Sequence, residues 1–223
     1  MSQRTALLVG ATGLVGGHCL QSLLQSDEYD KVILLVRRPV LLEHQKIEEH
    51  VVDFDKLDQC ASLIRANDVF CCLGTTIKKA GSQQEFRKVD FTYTVQTCAI
   101  AAKNGADQLL VVTSVGANPG SSIFYNRIKG ETEVAIAKLP CEGVHFFRPS
   151  LLLGDRKESR SIERAGISAM KGLAFLMAGP LKRYRPIEAA VVAKAMVFVA
   201  LETRSGVNIY ESDRIQGLHD TAT

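Results

Sequence analysis

Three glycines near the start of the sequence constrain its fold more than any other feature. Gly10, Gly13 and Gly16 recur every three residues, between the apolar run 6–9 and an amphipathic run that begins near Val15. A strand, a glycine turn and a helix in this order are typical of a loop that holds a pyrophosphate. The glycines permit a tight turn and a close approach of the backbone, and the helix start offers free N–H groups. We therefore predict a dinucleotide-binding turn, with a plain strand–helix turn as the alternative. Its predicted contacts are Gly10, Thr12, Gly13, Leu14, Val15 and Gly16.

The bulk composition narrows the class of protein. A chain of 223 residues with 46% hydrophobic residues can form one domain with a sizeable core, spanning 1–223. Its net charge of +3 is too small to indicate nucleic-acid binding, and Lys194 interrupts the longest apolar run, so no membrane span is expected. Six cysteines without paired or metal-binding spacing predict free thiols, no metal site and a reducing, cytoplasmic location. The first predicted strand starts so close to Met1 that no signal peptide is expected.

Strand-like and helix-like patterns alternate along the whole chain, which predicts an α/β fold with a doubly wound parallel sheet. The expected strand order is 3-2-1-4-5-6 followed by a last strand at 207–210. Residues 155–185 are expected to form a small helical cap over the carboxyl ends of the strands. Residues 77–82 are predicted to be a loop at the rim of the site, and 213–223 a frayed tail.

Two arginines follow the second predicted strand, at 31–36. NAD-binding folds usually carry an acidic residue there for the ribose hydroxyls, whereas this chain carries Arg37 and Arg38. A guanidinium group can hold a 2′-phosphate in a fork, while a carboxylate would repel it. The pair favours NADP(H) over NAD(H). The alternative is a solvated basic turn before Pro39.

Other cofactor contacts are predicted where the next strands end. Asp53 and Phe54 close the third predicted strand, where a residue can touch the adenine, although a simple strand-end turn explains them equally well. Gly74, Thr75 and Thr76 follow the fourth strand, where small residues let a cofactor pass at the carboxyl edge of a sheet. The two threonine hydroxyls could bind a phosphate or the nicotinamide ribose.

A set of three polar residues predicts proton transfer. Tyr125 and Lys129 are four residues apart and share one helix face. A lysine ammonium one turn away favours the phenolate form of a tyrosine. Ser114 follows the fifth predicted strand and could hydrogen-bond a substrate carbonyl while Tyr125 passes a proton to the developing alkoxide. His145, inside an apolar strand, is expected to be a core residue rather than a base.

The motifs GATGLVGG, TSVGA, YNRIK and FFRPSLLLGDR together resemble those of the short-chain dehydrogenase/reductase superfamily. The chain is most similar to its atypical branch and to the Tat-interacting-protein-type oxidoreductases. The resemblance implies a Rossmann-type fold that binds NADP(H), with Gly10, Gly13 and Gly16 under the pyrophosphate. It also implies that Ser114, Tyr125 and Lys129 are the catalytic residues and that Lys129 contacts the nicotinamide ribose as well. Arg148 and Pro149 are implied to lie beside the nicotinamide.

One position departs from that resemblance. Many extended members carry Val-Asn where this chain has Val89 and Asp90. The asparagine usually makes a hydrogen bond in the active site, and whether Asp90 makes it here is an open question.

The sequence therefore predicts an NADPH-dependent reductase of a small, unidentified carbonyl substrate. One alternative is an NADPH-binding module that engages protein partners without turnover. Another is an enzyme like the nucleotide-sugar epimerases and dehydratases, although their substrate domains are longer than this short cap. The predicted helices 84–103 and 122–139 are compatible with a monomer or a homodimer.

Overall fold

The computed structural model describes residues 4–154 and 179–222, and its centre is a seven-stranded parallel sheet. Two further short strands pair with each other outside it. In chain order the strands are β1 (Arg4–Val9), β2 (Tyr29–Val36), β3 (Ile47–Val51), β4 (Asp68–Cys71), β5 (Gln108–Val112), β6 (Gly143–Arg148), β7 (Leu152–Leu153), β8 (Ile187–Glu188) and β9 (Gly206–Glu211).

The sheet order is β3-β2-β1-β4-β5-β6-β9, which confirms the predicted doubly wound α/β fold. Strand β1 lies at the centre, where Val9 is paired with Leu35 of β2 on one side and with Cys71 of β4 on the other. The chain builds outward from β1 to β3 and then returns to the other side of β1. This reversal opens a crevice at the carboxyl ends of β1 and β4, which is where ligands bind in open α/β sheets.

Helices cover both faces of the sheet. They are α1 (Leu14–Gln25), α2 (Ile77–Ala80), α3 (Gln83–Arg87), α4 (Thr94–Lys103), α5 (Phe124–Ile136), α6 (Ala189–Leu201) and α7 (Ser212–Ala222), with 3₁₀ turns at Phe54–Leu63 and Gly179–Tyr184. Neighbouring residues of one strand enter opposite cores, since side chains alternate across a sheet. Leu8 packs with residues of α1 and α6, while Leu7 packs with residues of α4 and α5.

The predicted helix over 84–103 is one helical stretch with a wider turn in its middle. Helix α3 leads into a π-helical turn, Lys88–Tyr93, and then into α4. Turns of this kind are rare and often occur at functional sites. Asp90 lies inside this turn and is buried.

Two local predictions were wrong. Residues 77–82 contain helix α2, because the Thr76 hydroxyl accepts a hydrogen bond from the Lys79 amide at 3.1 Å and Gly81 ends the turn at φ +83°. The carboxyl-terminal segment is not a frayed tail through 222 but helix α7, held to the sheet by the fully buried Ile215.

The predicted cap lies mostly outside the described residues, since 155–178 are not among them. The single-domain arrangement with a cap at 155–185 stays a prediction. Within the described part of the chain, no helix is long and apolar enough to cross a membrane.

Candidate active site

At two positions of the turn between β1 and α1, no residue other than glycine fits. Gly10 has φ +84°, and a Cβ atom there would lie 2.5 Å from the carbonyl oxygen of Cys72. A Cβ atom at Gly16 would lie 2.0 Å from the carbonyl oxygen of Gly10. The glycines therefore bring β1, β4 and the start of α1 closer together than side chains would allow.

The amino terminus of α1 is free to receive an anion. Its N-cap, Gly13, offers no side-chain acceptor, and the first turn contains no acidic residue. Thr12 and Gly13 are exposed. The N–H groups and the positive end of the helix dipole therefore face the crevice without an internal partner of negative charge. This geometry fits a pyrophosphate.

A cavity of about 720 Å³ occupies the crevice. Eight residues predicted to bind the cofactor line it: Gly10, Thr12, Gly13, Arg37, Arg38, Phe54, Gly74 and Thr75. The cavity thus joins the glycine turn, the arginine pair and the loop after β4 in one space. Its volume lies in the range of small-molecule and cofactor pockets.

Other predicted residues support the walls of this cavity without lining it. Val15 and Gly16 are buried in the first turns of α1, where Leu14 is half-buried. The Asp53 carboxylate accepts the Asp55 amide at 3.0 Å and so caps the 3₁₀ turn that begins at Phe54. The Thr76 hydroxyl caps α2. Their assignment to the cofactor stays a prediction.

The structure adds lining residues that the sequence reasoning missed. Lys79 and Glu85 reach the rim from α2 and α3, and Tyr93 lies beside Phe54 with the two ring centroids 5.5 Å apart. Only Tyr93 carried a signal in the sequence, as part of an apolar stripe on the predicted helix. Lys79 comes from a segment predicted to be a loop.

A buried ion pair connects the cavity with the predicted catalytic helix. Asp90 Oδ1 lies 2.7 Å from Lys129 Nζ, and Asp90 Oδ2 accepts the Thr75 amide at 2.9 Å. Burial alone would lower the pKa of Lys129, but the nearby Asp90 carboxylate and Tyr125 phenol outweigh it and raise that pKa. Lys129 therefore stays an ammonium group at neutral pH. Asp90 supplies a direct charge contact at the position where the resemblance expected an asparagine.

The three predicted catalytic residues lie in the loop after β5 and in α5, and none of them is among the residues that line the cavity. Ser114 follows β5 and is buried, and its hydroxyl has no hydrogen-bond partner among the described residues. Tyr125 stands in the first turn of α5 with its ring 5.5 Å from that of Phe86, and Lys129 follows one turn later. A buried hydroxyl without a partner is rare in folded proteins, and a catalytic role is one of the explanations for it.

Arg148 ends β6 and Pro149 follows it, on the far side of β5 from the cavity. The Arg148 guanidinium contacts Glu133 of α5, with Nε 2.9 Å from Oε1. Pro149 is buried, and its carbonyl accepts the Val115 amide at 3.0 Å. Their predicted place beside a nicotinamide stays a prediction. Among the described residues, no cluster of three His, Cys, Asp or Glu side chains could hold a metal.

Comparison with known proteins agrees with this geometry. Residues 10–138 match a family of NAD(P)H-binding proteins. Protein HTATIP2 of Rattus norvegicus is 37% identical over 164 residues, which are 72% of this chain and 67% of the relative. The mitochondrial protein FMP52 of Meyerozyma guilliermondii is 34% identical over 203 residues, which are 88% of this chain and 85% of the relative.

Solved structures show the same fold at low sequence identity. The Bordetella bronchiseptica enzyme WbmH, in complex with NAD⁺, has a TM-score of 0.71 at 15% identity and covers 98% of this chain and 80% of its own. A UDP-N-acetylglucosamine 4-epimerase from Methanobrevibacter ruminantium has a TM-score of 0.69 at 14% identity, over 97% of this chain and 81% of its own.

The expectation of a cytoplasmic protein was wrong. Several relatives at 28 to 35% identity are named as mitochondrial. The inference failed because free thiols indicate a reducing compartment, and the cytosol is not the only one. All six cysteines are indeed free.

The glycine turn, the sheet order, the matched family and the relatives agree with one another. The chain belongs to the NAD(P)H-binding family, in the atypical branch of the short-chain dehydrogenases/reductases that includes HTATIP2 and FMP52.

Proposed function

We propose that this protein is an NADP(H)-dependent oxidoreductase that reduces a small carbonyl compound. The observation that carries the proposal is the buried Ser114 hydroxyl, which lacks a partner among the described residues. It lies in the loop that runs from β5 to α5, the helix that carries Tyr125 and Lys129. A hydroxyl in that state can donate to a substrate oxygen without first breaking a protein hydrogen bond.

The residues present fit the proposed cofactor. The open start of α1 suits the pyrophosphate, and the absence of a side chain at Gly10 lets the turn pack against Cys72, where a Cβ atom would collide. Arg37 and Arg38 are exposed at the rim, where they could hold a 2′-phosphate. When bound, the nicotinamide would supply the hydride that reduces the carbonyl carbon.

The side chains of the protein supply the proton and the stabilisation of charge. Ser114 donates a hydrogen bond to the carbonyl oxygen, and Tyr125 passes its phenolic proton to that oxygen as negative charge develops there. The Lys129 ammonium, one helical turn away, stabilises the phenolate that Tyr125 becomes. Asp90 keeps the ammonium in place, since a lysine so deeply buried would otherwise lose charge or position.

The test is a comparison of Tyr125→Phe with the wild type in NADPH consumption over a panel of aldehydes, ketones and quinones. We expect the variant to bind NADPH as the wild type does and to lose at least about a hundredfold in kcat, the usual scale of acid–base catalysis. Tyr29→Phe is the matched control, because Tyr29 hydrogen-bonds Asp68 at the opposite end of the sheet.

Two results would contradict the proposal. Turnover of Tyr125→Phe at the wild-type rate would remove Tyr125 from the chemistry. Tight NADPH binding without turnover of any compound by the wild type would favour the alternative of a binding module.

A further inference from the structure

Glu133 is a buried carboxylate on the helix that carries Tyr125 and Lys129. Only 6% of the residue is exposed, and both of its oxygens are occupied. Oε1 accepts the Thr113 hydroxyl at 2.6 Å and Arg148 Nε at 2.9 Å, and Oε2 accepts a second guanidinium nitrogen of Arg148 at 2.5 Å. Three donors thus converge on a single side chain, and two of them form a charged fork.

Each of the two residues that donate to Glu133 directly precedes a predicted site residue in the sequence. Thr113 precedes Ser114 at the end of β5, and Arg148 precedes Pro149 at the end of β6. The two strand ends are also joined by backbone bonds, since the Thr113 amide donates to Phe147 at 2.7 Å. Glu133 therefore ties α5 to the backbone on which Ser114 is mounted.

The spacing on α5 places this tie behind the proton-transfer residues. Glu133 follows Lys129 by four residues and Tyr125 by eight, so the three side chains repeat at about one helical turn. Ser114 lies on a different element, and its distance from Tyr125 depends on how α5 docks on the strand ends. Residues 115–123, which join Ser114 to α5, form turns and loops rather than a helix or strand, so they do not hold that distance fixed.

We propose that Glu133 is a positioning residue for the reaction. It holds α5 against the ends of β5 and β6, so that Tyr125 and Lys129 keep a fixed distance from Ser114. The proposal rests on the proposed function, because positioning matters only where the three residues act together. A displacement of about 1 Å at an active site can lower the rate about a hundredfold, so the tie is expected to act on kcat.

The chain offers a matched control for a purely structural role. Asp68, fully buried at the start of β4, accepts two guanidinium nitrogens of Arg4 at 2.7 to 2.9 Å and the Tyr29 hydroxyl at 2.7 Å. This is the same chemistry as at Glu133: one carboxylate, one arginine fork and one hydroxyl. It lies at the opposite, amino-terminal edge of the sheet.

The experiment compares Glu133→Gln with Asp68→Asn in the full chain. With menadione as the carbonyl probe and NADPH as the reductant, we expect Glu133→Gln to lower kcat at least about tenfold, while the NADPH dissociation constant stays within about twofold. Asp68→Asn should lower the melting temperature to a similar degree yet keep the wild-type kcat. Thr113→Val removes one donor to Glu133 and preserves the shape of the side chain, so it should lower kcat in the same direction but by less. It replaces Glu133→Gln as the test variant if Glu133→Gln does not fold.

A second readout does not depend on turnover. In protein labelled with 3-fluorotyrosine, the fluorine resonance of Tyr125 is assigned with Tyr125→Phe. It should move in Glu133→Gln and Thr113→Val, whereas in Asp68→Asn only the Tyr29 resonance should move.

The outcomes separate this proposal from the proposed function. If folded Glu133→Gln keeps both the wild-type kcat and the wild-type Tyr125 resonance, or if Asp68→Asn loses kcat equally, the positioning role is overturned. If the wild type reduces no compound of the carbonyl panel, the reductase function is wrong. In that case, a Tyr125 resonance that moves in the Glu133 and Thr113 variants alone still supports the tie, and one that stays in place overturns it.

Discussion

Asp90 Oδ1 lies 2.7 Å from Lys129 Nζ, and the two side chains are only 1% and 6% exposed. The second oxygen of the same carboxylate accepts the Thr75 amide in the loop that lines the cavity. One side chain in a π-helical turn therefore binds both the predicted catalytic lysine and the wall of the cofactor cavity. Gly74 also belongs to this contact, because a Cβ atom there would lie 3.6 Å from Asp90 and 3.8 Å from Lys129.

The first prediction concerns this ion pair. Asp90→Asn should lower the free energy of unfolding by about 3 kcal/mol at pH 7, because it leaves a buried ammonium without its counter-charge. The folded-state pKa of Lys129 is raised, so the contribution of the pair is complete below the ordinary lysine value of 10.5 and is lost only as the pH rises through the folded value. In Asp90→Asn only burial acts on Lys129 and lowers its pKa, so the folded variant sheds the proton as the pH rises and the penalty becomes smaller. Urea unfolding should therefore give a larger penalty at pH 7 than at pH 9.

The control for the ion pair is the double variant Asp90→Asn with Lys129→Met. It removes both charges, so it should be more stable than Asp90→Asn alone. If the stability losses of the single variants Asp90→Asn and Lys129→Met add up to the loss of the double variant, Asp90 and Lys129 are not energetically coupled and the prediction is wrong.

The second prediction compares two adjacent glycines of α1. Gly16→Ala should lose NADPH binding and at least about 2 kcal/mol of stability, because its Cβ atom would lie 2.0 Å from the Gly10 carbonyl oxygen. At Gly17 the nearest atom would be 3.6 Å away, an ordinary contact. Gly17→Ala should keep NADPH binding and gain up to about 1 kcal/mol from helix propensity. Equal behaviour of the two variants in denaturation and NADPH titration would contradict the close packing of the turn.

The third prediction tests the choice of nucleotide. Arg37→Asp should weaken NADPH binding at least about tenfold, since it replaces a cation at the rim with a charge that repels a 2′-phosphate, and NADH binding should change little. Fluorescence titrations of both nucleotides measure this difference. Arg65→Asp is the control, because Arg65 is exposed and is not among the residues that line the cavity. Unchanged NADPH affinity in Arg37→Asp would contradict the prediction and favour the alternative of a solvated basic turn.

The sequence was sufficient to predict the sheet and eight of the residues that line the cavity. Buried parallel strands are continuous apolar runs, and the glycine turn marks where the first of them ends, so the strand order could be inferred before any contact was known. Lys79 and Glu85 could not be assigned, because their place at the rim depends on how two short helices pack. Asp90 was noticed as a departure from the resemblance, but its partner was not, since Lys129 is distant in sequence and the π-helical turn has no sequence signature.

The fourth prediction concerns His145, which the sequence placed in the core. The residue is fully buried, with Nε2 2.6 Å from Gln108 Oε1 and Nδ1 3.3 Å from the Tyr210 hydroxyl. Both contacts suit a neutral ring that donates from Nε2 and accepts at Nδ1. Burial, together with the charge of Arg204, lowers the pKa of His145 to about 4.

This shift makes stability depend on pH in a definite direction. Below the ordinary histidine pKa of 6.5, the unfolded chain takes up a proton that the folded chain refuses until about pH 4. The contribution of His145 is therefore complete above pH 6.5 and is lost as the pH falls towards 4, which amounts to roughly 2–3 kcal/mol. In urea unfolding at pH 7, 5.5 and 4.5, His145→Gln should lose less stability on acidification than the wild type does. The same substitution at the exposed His44 removes an imidazole without altering the core, so its stability should follow the wild-type curve. If the curves of His145→Gln and the wild type run parallel, the folded protein accepts the proton on His145 without cost, and the buried neutral ring is not what limits stability in acid.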